Sequence, residues 1–321
     1  MNLKNKALIF FIFIFLSFTA IPEEYKIMSF NIQYGNTKAT HLNDSWYNYF
    51  TGIVSEVNPD ILLVQEIGEA NNGIEKVHKA LGQSTYGCIS TEKYFAHKSY
   101  INNGTTYSGF GGSTQNNVVF YKNRKFKAED LCEKLKFTTP EHTRFPSDFN
   151  NFQCIKFTTK DNKTFIVVNA HVRPDGKGFW KMKEGIIHSR DTITLRKLLY
   201  EMEKLHPTAG VIAGGDFNYS RAVLTDTWTD GQKLSAEWTV DPGFTPDEYS
   251  QAGLGTTYSN GPWDHFICND LIRVTRDFCI PLKLNSDSKD SYTYVNGKWM
   301  KDSEFNRNIS DHWPVSISIK Y

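Results

Sequence analysis

Residues 45–66 read SWYNYFTGIVSEVNPDILLVQE, and two hydrophobic rhythms follow one another inside that stretch. Trp46, Tyr49, Phe50, Ile53, Val54 and Val57 recur at the spacing of one apolar helix face. Asn58-Pro59 ends the pattern, because proline disfavours the helical conformation in the residue before it and has no amide proton to donate. Residues 61–65 (ILLVQ) then run apolar, as a buried strand does. Upstream, residues 26–33 (KIMSFNIQ) form another strand-like run, so the chain opens strand–helix–strand.

The same two signals continue downstream. Residues 118–121 (VVFY), 153–158, 164–170, 211–214 and 263–268 read as strands. Residues 314–321 alternate Val315, Ile317 and Ile319 with Ser316, Ser318 and Lys320, a half-exposed final strand. Residues 190–205 place Leu195, Leu198, Leu199, Met202 and Leu205 on one helical face, and Pro207 follows. The stretch 99–117, rich in Gly and Asn, reads as loop. Repeats, low-complexity tracts and flexible linkers are all missing from the sequence, so residues 21–321 read as one domain with sheets inside and helices outside.

Of the 321 residues, 40% are hydrophobic and 14% aromatic, enough for a large core and too many for a disordered chain. Lys and Arg (36) balance Asp and Glu (35), which excludes a polycation that coats nucleic acid by bulk charge. Any anionic substrate must be gripped by local geometry, a metal ion or a small basic patch. Residues 1–20 (MNLKNKALIFFIFIFLSFTA) place Lys4 and Lys6 before an apolar run too short to span a bilayer, the anatomy of a secretory signal peptide. Cleavage after Ala20 removes both lysines and moves the formal charge from +1 to −1.

An exported chain can form disulfides and carry glycans. Of Cys88, Cys132, Cys154, Cys268 and Cys279, the pair nearest in sequence, Cys268 and Cys279, is the first candidate for a bridge. The spacing C-x-x-C does not occur, so a zinc module is not expected. Among the Asn-x-Ser/Thr sequons, Asn43, Asn103 and Asn162 are expected on surface loops.

Six short motifs put a carboxylate, carboxamide or imidazole at or near a strand end: Ser29-Phe30-Asn31, Val64-Gln65-Glu66, Asn169-Ala170-His171, Gly214-Gly215-Asp216-Phe217-Asn218, Trp263-Asp264-His265 and Ser310-Asp311-His312. Each alone is an ordinary turn or solvated strand end. Burying such groups is costly unless they bind one another or a cation, so six of them on one core point to a shared site.

Taken in order, these motifs resemble the endonuclease/exonuclease/phosphatase superfamily of metal-dependent phosphoesterases, whose fold is a four-layer α/β sandwich of two packed, mostly antiparallel sheets flanked by helices. The markers SFNI, PDILLVQE, NAH, GDFN, WDHF and SDHWPV span nearly the whole mature chain. The resemblance implies that Glu66 is the principal metal ligand, with Asn31 and Asp311 holding the metal directly or through water. Mg²⁺, with Mn²⁺ or Ca²⁺ as substitutes, suits such a hard-oxygen set because it keeps several waters and needs only one or two carboxylates. By the same resemblance Asp216 orients or deprotonates the attacking water, Asn218 donates to a phosphate oxygen and His171 binds the phosphate. Asp264 then pairs with His312, which stabilises the transition state or shuttles a proton.

His265 departs from the secreted DNases, which tend to carry Arg there, and Gln115 is only a partial match to a family Glu. The expected activity is a secreted, metal-dependent phosphodiesterase of nuclease type, with DNA or RNA as substrate. The alternative is a phosphoesterase acting on phospholipid headgroups or inositol phosphates. No protein partner is implied, and a monomer is expected.

Overall fold

The computed structural model describes residues 23–33, 44–68, 73–90, 100–102, 105–107, 115–131, 152–172, 190–219, 224, 238–242, 263–279, 283–284, 292–295, 297–301, 309–310 and 312–321. In chain order these form β1 (Glu24–Asn31), α1 (Asp44–Val57), β2 (Ile61–Gly68), α2 (Gly73–Leu81), β3 (Tyr86–Ser90), β4 (Tyr100–Asn102), β5 (Thr105–Tyr107), β6 (Gln115–Lys122), β7 (Phe126–Asp130), β8 (Phe152–Thr159) and β9 (Thr164–His171). They continue with α3 (Arg190–Leu205), β10 (Gly210–Asp216), β11 (Trp238–Val240), β12 (Asp264–Asn269), β13 (Arg273–Cys279), β14 (Lys283–Leu284), β15 (Tyr292–Val295), β16 (Lys298–Lys301) and β17 (Val315–Lys320).

Two six-stranded sheets carry the fold, in the orders β13-β17-β1-β2-β6-β3 and β11-β12-β10-β9-β8-β7. Each is built around one parallel pair, β1 with β2 and β9 with β10, flanked by antiparallel neighbours. A parallel pair needs a crossover, and α1 and α3 supply the two. The sequence rhythm at residues 45–66 thus describes the first of two equivalent units.

Three apolar layers result. Trp46, Phe50, Ile53, Val54 and Val57 of α1 cover Met28, Phe30, Leu62, Val64 and Phe120 on the outer face of the first sheet. Leu195, Leu198, Leu199 and Met202 of α3 cover Ile166, Val168, Val211 and Ala213 on the outer face of the second. Between the sheets lie Ile27, Ile61, Leu63, Phe157, Phe165, Val167, Ile212, Phe266 and Ile317. The architecture is the expected helix–sheet–sheet–helix sandwich.

Several local expectations change. Within 99–117, β4 and β5 form a hairpin and β6 begins at Gln115, so the stretch is not wholly loop. Short polar strands of this kind lack the apolar run that marks a buried one. Leu205, expected on the buried face of α3, is the last residue of the helix and is 53% exposed. Cys268 is buried between the sheets and Cys279 is exposed on β13 of the other sheet; both are free thiols, so the expected bridge is not formed. Asn162 sits on the exposed β8–β9 turn, while Asn43, Asn103, Cys132 and residues 1–20 lie outside the described residues.

Gly215 is required where β10 runs beside β9. A Cβ built there would lie 1.8 Å from the Ala170 carbonyl oxygen, a backbone atom that can retreat only if the two strands part. Gly215→Ala is expected to cost on the order of 3 kcal/mol, the range of severe single substitutions. A thermal melt reads this; an unchanged Tm would show that the strands separate at no cost.

Candidate active site

Side chains on a strand point alternately to its two faces, so every second residue enters the space between the sheets. Along β1 those residues are Ile27, Ser29 and Asn31; along β2, Ile61, Leu63 and Gln65; along β9, Phe165, Val167, Asn169 and His171; along β10, Ile212, Gly214 and Asp216. Each series begins apolar and ends polar. Both parallel pairs finish at one rim, and the antiparallel strands β12 and β17 start there. In register, Asp216 therefore stands between His171 and Asp264.

A polar floor separates the rim from the core. The buried Gln65 Nε2 donates to Ser29 Oγ at 3.1 Å and across to Asn169 Oδ1 of the other sheet at 2.7 Å. Asn169 Nδ2 in turn donates to the carbonyls of Val64 (3.1 Å) and Val118 (3.2 Å) in the first sheet. Ser310 Oγ donates to the Asn31 carbonyl at 2.8 Å and accepts from the His312 amide at 3.1 Å, tying the start of β17 to the end of β1.

Glu66 reaches the site through a bulge. Between Val64 and Ile67, β2 carries one residue more than β6 opposite, and Glu66 adopts φ 58°. Without that extra residue, alternation would turn Glu66 outward under α1. With it, the carboxylate turns inward, an instance of a bulge re-aiming a functional side chain. Asn31 Nδ2 donates to Glu66 Oε1 at 3.0 Å and to Asp216 Oδ2 at 2.9 Å, while its Oδ1 accepts from the Gln33 amide at 3.0 Å. Asn31 therefore bridges the two acids, and direct ligation of a cation through Oδ1 would require the carboxamide to turn over.

His171 Nε2 lies 3.5 Å from Glu66 Oε1 and 3.8 Å from Asp216 Oδ2. On the other side His312 Nε2 lies 3.7 Å from the same Asp216 oxygen, and its Nδ1 donates to Asp264 Oδ2 at 2.9 Å. That bond fixes the ring and directs Nε2 at Asp216. Burial pushes the Asp216 carboxyl up to about 6, with Asp264 and Glu66 adding to the rise and His312 and His171 opposing it. Asn218 follows in a left-handed turn (φ 53°), its amide donating to Asp216 Oδ1 and its Nδ2 to the Val172 carbonyl, both at 2.9 Å.

Two sets of donor atoms cluster within 4.8 Å: Glu66, His171 and Asp216, and Asp216, Asp264 and His312. In the second, His312 and Asp264 already satisfy each other. The first fits a hard divalent cation: two carboxylates and an imidazole bring their donor atoms together, and the charges of Glu66 and Asp264 add to the burial that raises the affinity of Asp216 for a proton.

Over residues 28–312 the sequence matches the Endonuclease/Exonuclease/phosphatase family. The chain belongs to that family. Comparison with curated proteins finds no match. Among solved structures, the chain is similar to an endonuclease/exonuclease/phosphatase family protein of Bacteroides thetaiotaomicron, with TM-score 0.57 and 16% identity over 94% of this chain and 99% of that one. It is also similar to D. rerio TDP2 complexed with single strand DNA product, with TM-score 0.53 and 15% identity over 93% of this chain and 100% of that one. A mannosyl-6-phosphatase of Bacteroides thetaiotaomicron gives TM-score 0.53 and 16% identity over 92% of this chain and 100% of that one. At such identities the likeness is one of fold.

Of the residues expected at the site, the structure brings together Asn31, Glu66, His171, Asp216, Asn218, Asp264 and His312; Asp311 lies outside the described residues. Asp241 was not foreseen. It ends the short run Trp238–Val240 as a buried acid, the same pattern as the six motifs, and that was its signal.

Asp216 lends itself to a stability test. Its folded pKa, raised above the ordinary carboxyl value, means the folded protein holds a proton that the unfolded chain releases. Its contribution is full at low pH and is lost as pH rises through about 6. Asp216→Asn in EDTA is therefore expected to raise stability above about pH 6, by on the order of 2 kcal/mol, and to leave it unchanged near pH 4. Melts across that range check it; equal stability at every pH would contradict the buried charge.

Proposed function

We propose that the protein is an exported, divalent-metal-dependent phosphodiesterase that cleaves nucleic acid. The observation that carries this reading is the single Asp216 oxygen faced by two imidazoles, one of them backed by a carboxylate, beside Glu66. A phosphodiester repels nucleophiles, so hydrolysis needs an oriented water, charge neutralisation and help for the leaving oxygen. Glu66, with Asp216 and His171 in reach, would hold Mg²⁺ or a similar ion, which neutralises phosphate charge when bound.

The side chains then divide the remaining work. Asp216 accepts a proton from water as its oxygen attacks phosphorus, and the bond from phosphorus to the leaving oxygen breaks. His312, held at Nδ1 by Asp264, presents Nε2 to the phosphoryl oxygens and supplies the proton that the leaving oxygen takes up. His171 and the Asn218 carboxamide offer N–H donors to the non-bridging oxygens. Asp311, adjacent to His312, is assigned to the metal side by its family motif.

The single strand DNA product held by a TDP2 of the same fold supports nucleic acid as substrate. A second reading, hydrolysis of phosphate esters on sugars, inositols or lipid headgroups, draws support from the mannosyl-6-phosphatase of equal similarity. The basic, then apolar, residues 1–20 support export, and no helix among the described residues is long and apolar enough to cross a membrane.

The test is the chain lacking residues 1–20, assayed with Mg²⁺ on single- and double-stranded DNA, RNA, inositol phosphates, mannose 6-phosphate and sphingomyelin, with and without EDTA. Nucleic acid cleavage abolished by EDTA is expected. Glu66→Gln and His312→Gln should each lower kcat by roughly 10²–10⁴-fold with Tm little changed. Full activity in both variants, or turnover of the small esters alone, would overturn the nuclease reading.

A further inference from the structure

His265 lies on the outer face of β12, 2% exposed, one residue beyond the His312 partner Asp264. Its Nδ1 lies 2.6 Å from Asp241 Oδ2 and its Nε2 lies 2.8 Å from the Tyr219 carbonyl oxygen. A backbone carbonyl oxygen only accepts, and so does an ionised carboxylate. A neutral imidazole donates from one nitrogen only and would set the lone pair of the other against an oxygen. Two protons satisfy both contacts.

We propose that His265 is held as an imidazolium and acts as a positioning residue that fixes Asn218 at the site through the Tyr219 carbonyl. This rests on the reading of Asn218 as a donor to the phosphate. Burial opposes the charge on His265, but the Asp241 carboxylate and its hydrogen bond, the Tyr219 carbonyl and the more distant Asp264 outweigh it and raise the group above the ordinary histidine range. Asp241 is itself locked: its Oδ1 accepts from the Phe266 amide at 2.8 Å, and its own amide donates to the Phe266 carbonyl at 2.7 Å.

The mechanical logic lies in the backbone. Asn218 (φ 53°) and Asp241 (φ 46°) both adopt the left-handed conformation, which costs on the order of 1 kcal/mol each and persists only where surroundings over-determine it. The turn bearing Asn218 is held on its near side by the Phe217 amide donating to the Trp263 carbonyl at 2.8 Å. His265 holds the far side, and the Phe217 ring packs edge-on to the imidazole with centroids 6.0 Å apart. One cation thus joins β12, the turn after β11 and the turn after β10.

The test uses the ¹⁵N-labelled full chain and bis(4-nitrophenyl) phosphate with Mg²⁺. Both ring nitrogens of His265 should remain protonated near pH 8, where an ordinary histidine of pKa about 6.5 is neutral. His265→Gln and Asp241→Asn should each lower kcat roughly ten- to hundredfold, the scale of a small misplacement of a reacting group, with KM changed less than about threefold. Each should also move the Asn218 side-chain amide resonance. The double variant should be no worse than the worse single one, because the pair acts as a unit. Should His265→Gln fail to fold, Asp241→Asn, which keeps the ring in place, carries the comparison. A singly protonated His265, an unmoved Asn218 resonance or additive losses would overturn the clamp. Wild-type protein that cleaves no phosphate ester would sink the proposed function instead, and the ring protonation and Asn218 resonance would still decide the clamp.

Discussion

Gln65 and Asn169 meet across the sandwich at 2.7 Å, and the site depends on that contact. Packed sheets stand about 10 Å apart, a gap that two side chains must close together. Below this level hydrophobic residues fill it; above it the acids and imidazoles need the same gap held open at a fixed width. Removing either carboxamide would leave its partner buried and unsatisfied, at a cost of about 1–3 kcal/mol. Neither Gln65 nor Asn169 touches the reacting atoms in the proposed mechanism. Both set the distance at which Glu66 and Asn31 of one sheet face His171 and Asp216 of the other.

Above that floor the arrangement is electrostatically unfavourable to folding. Asp216, Asp264 and Glu66 bring negative charge together in a buried place; burial raises the affinity of Asp216 for a proton, and the other two acids add to it. Asn31 donates to two of the three acids, and the imidazoles stand at 3.5–3.8 Å, too far for full hydrogen bonds to the shared oxygens. A fold selected for stability alone would replace this set with apolar groups. The proposed function gives the set a use, as a receptor for positive charge and for the proton of an attacking water.

The layers were legible because they rest on periodicity: Trp46 to Val57 and Leu195 to Met202 repeat at helical spacing, and ILLVQ and TFIVVNA are too apolar to sit anywhere but in a core. The site was legible in composition, since polar groups ended apolar strands again and again. What escaped was decided by contacts distant in sequence. The bulge that turns Glu66 inward depends on how β2 meets β6, and nothing in VQEIG announces it. The pairing of His265 with Asp241 spans 24 residues. The short strands β4 and β5 are three residues each and pair with each other, too short for a periodic pattern to show in their sequence.

The two ends of the sandwich show how identical groups yield either structure or chemistry. At the end away from the site, Asp60 is as buried as a catalytic acid, yet its Oδ1 meets Lys122 Nζ at 2.9 Å and its Oδ2 meets the Lys26 amide at 3.1 Å and Lys125 Nζ at 3.2 Å. Lys125 is shared with Glu23 at 2.8 Å, so cations and anions alternate and charge is matched within the fold itself. Asp216 at the opposite rim receives one carboxamide and one backbone amide, and its further neighbours are two imidazoles and two more acids. Matched charge at Asp60 leaves nothing to bind. At Asp216 the nearest imidazole nitrogens stand back at 3.7–3.8 Å, and β9, β10 and β12 end or begin at the same height and hold His171, Asp216 and Asp264 side by side in register, the arrangement on which the proposed chemistry rests.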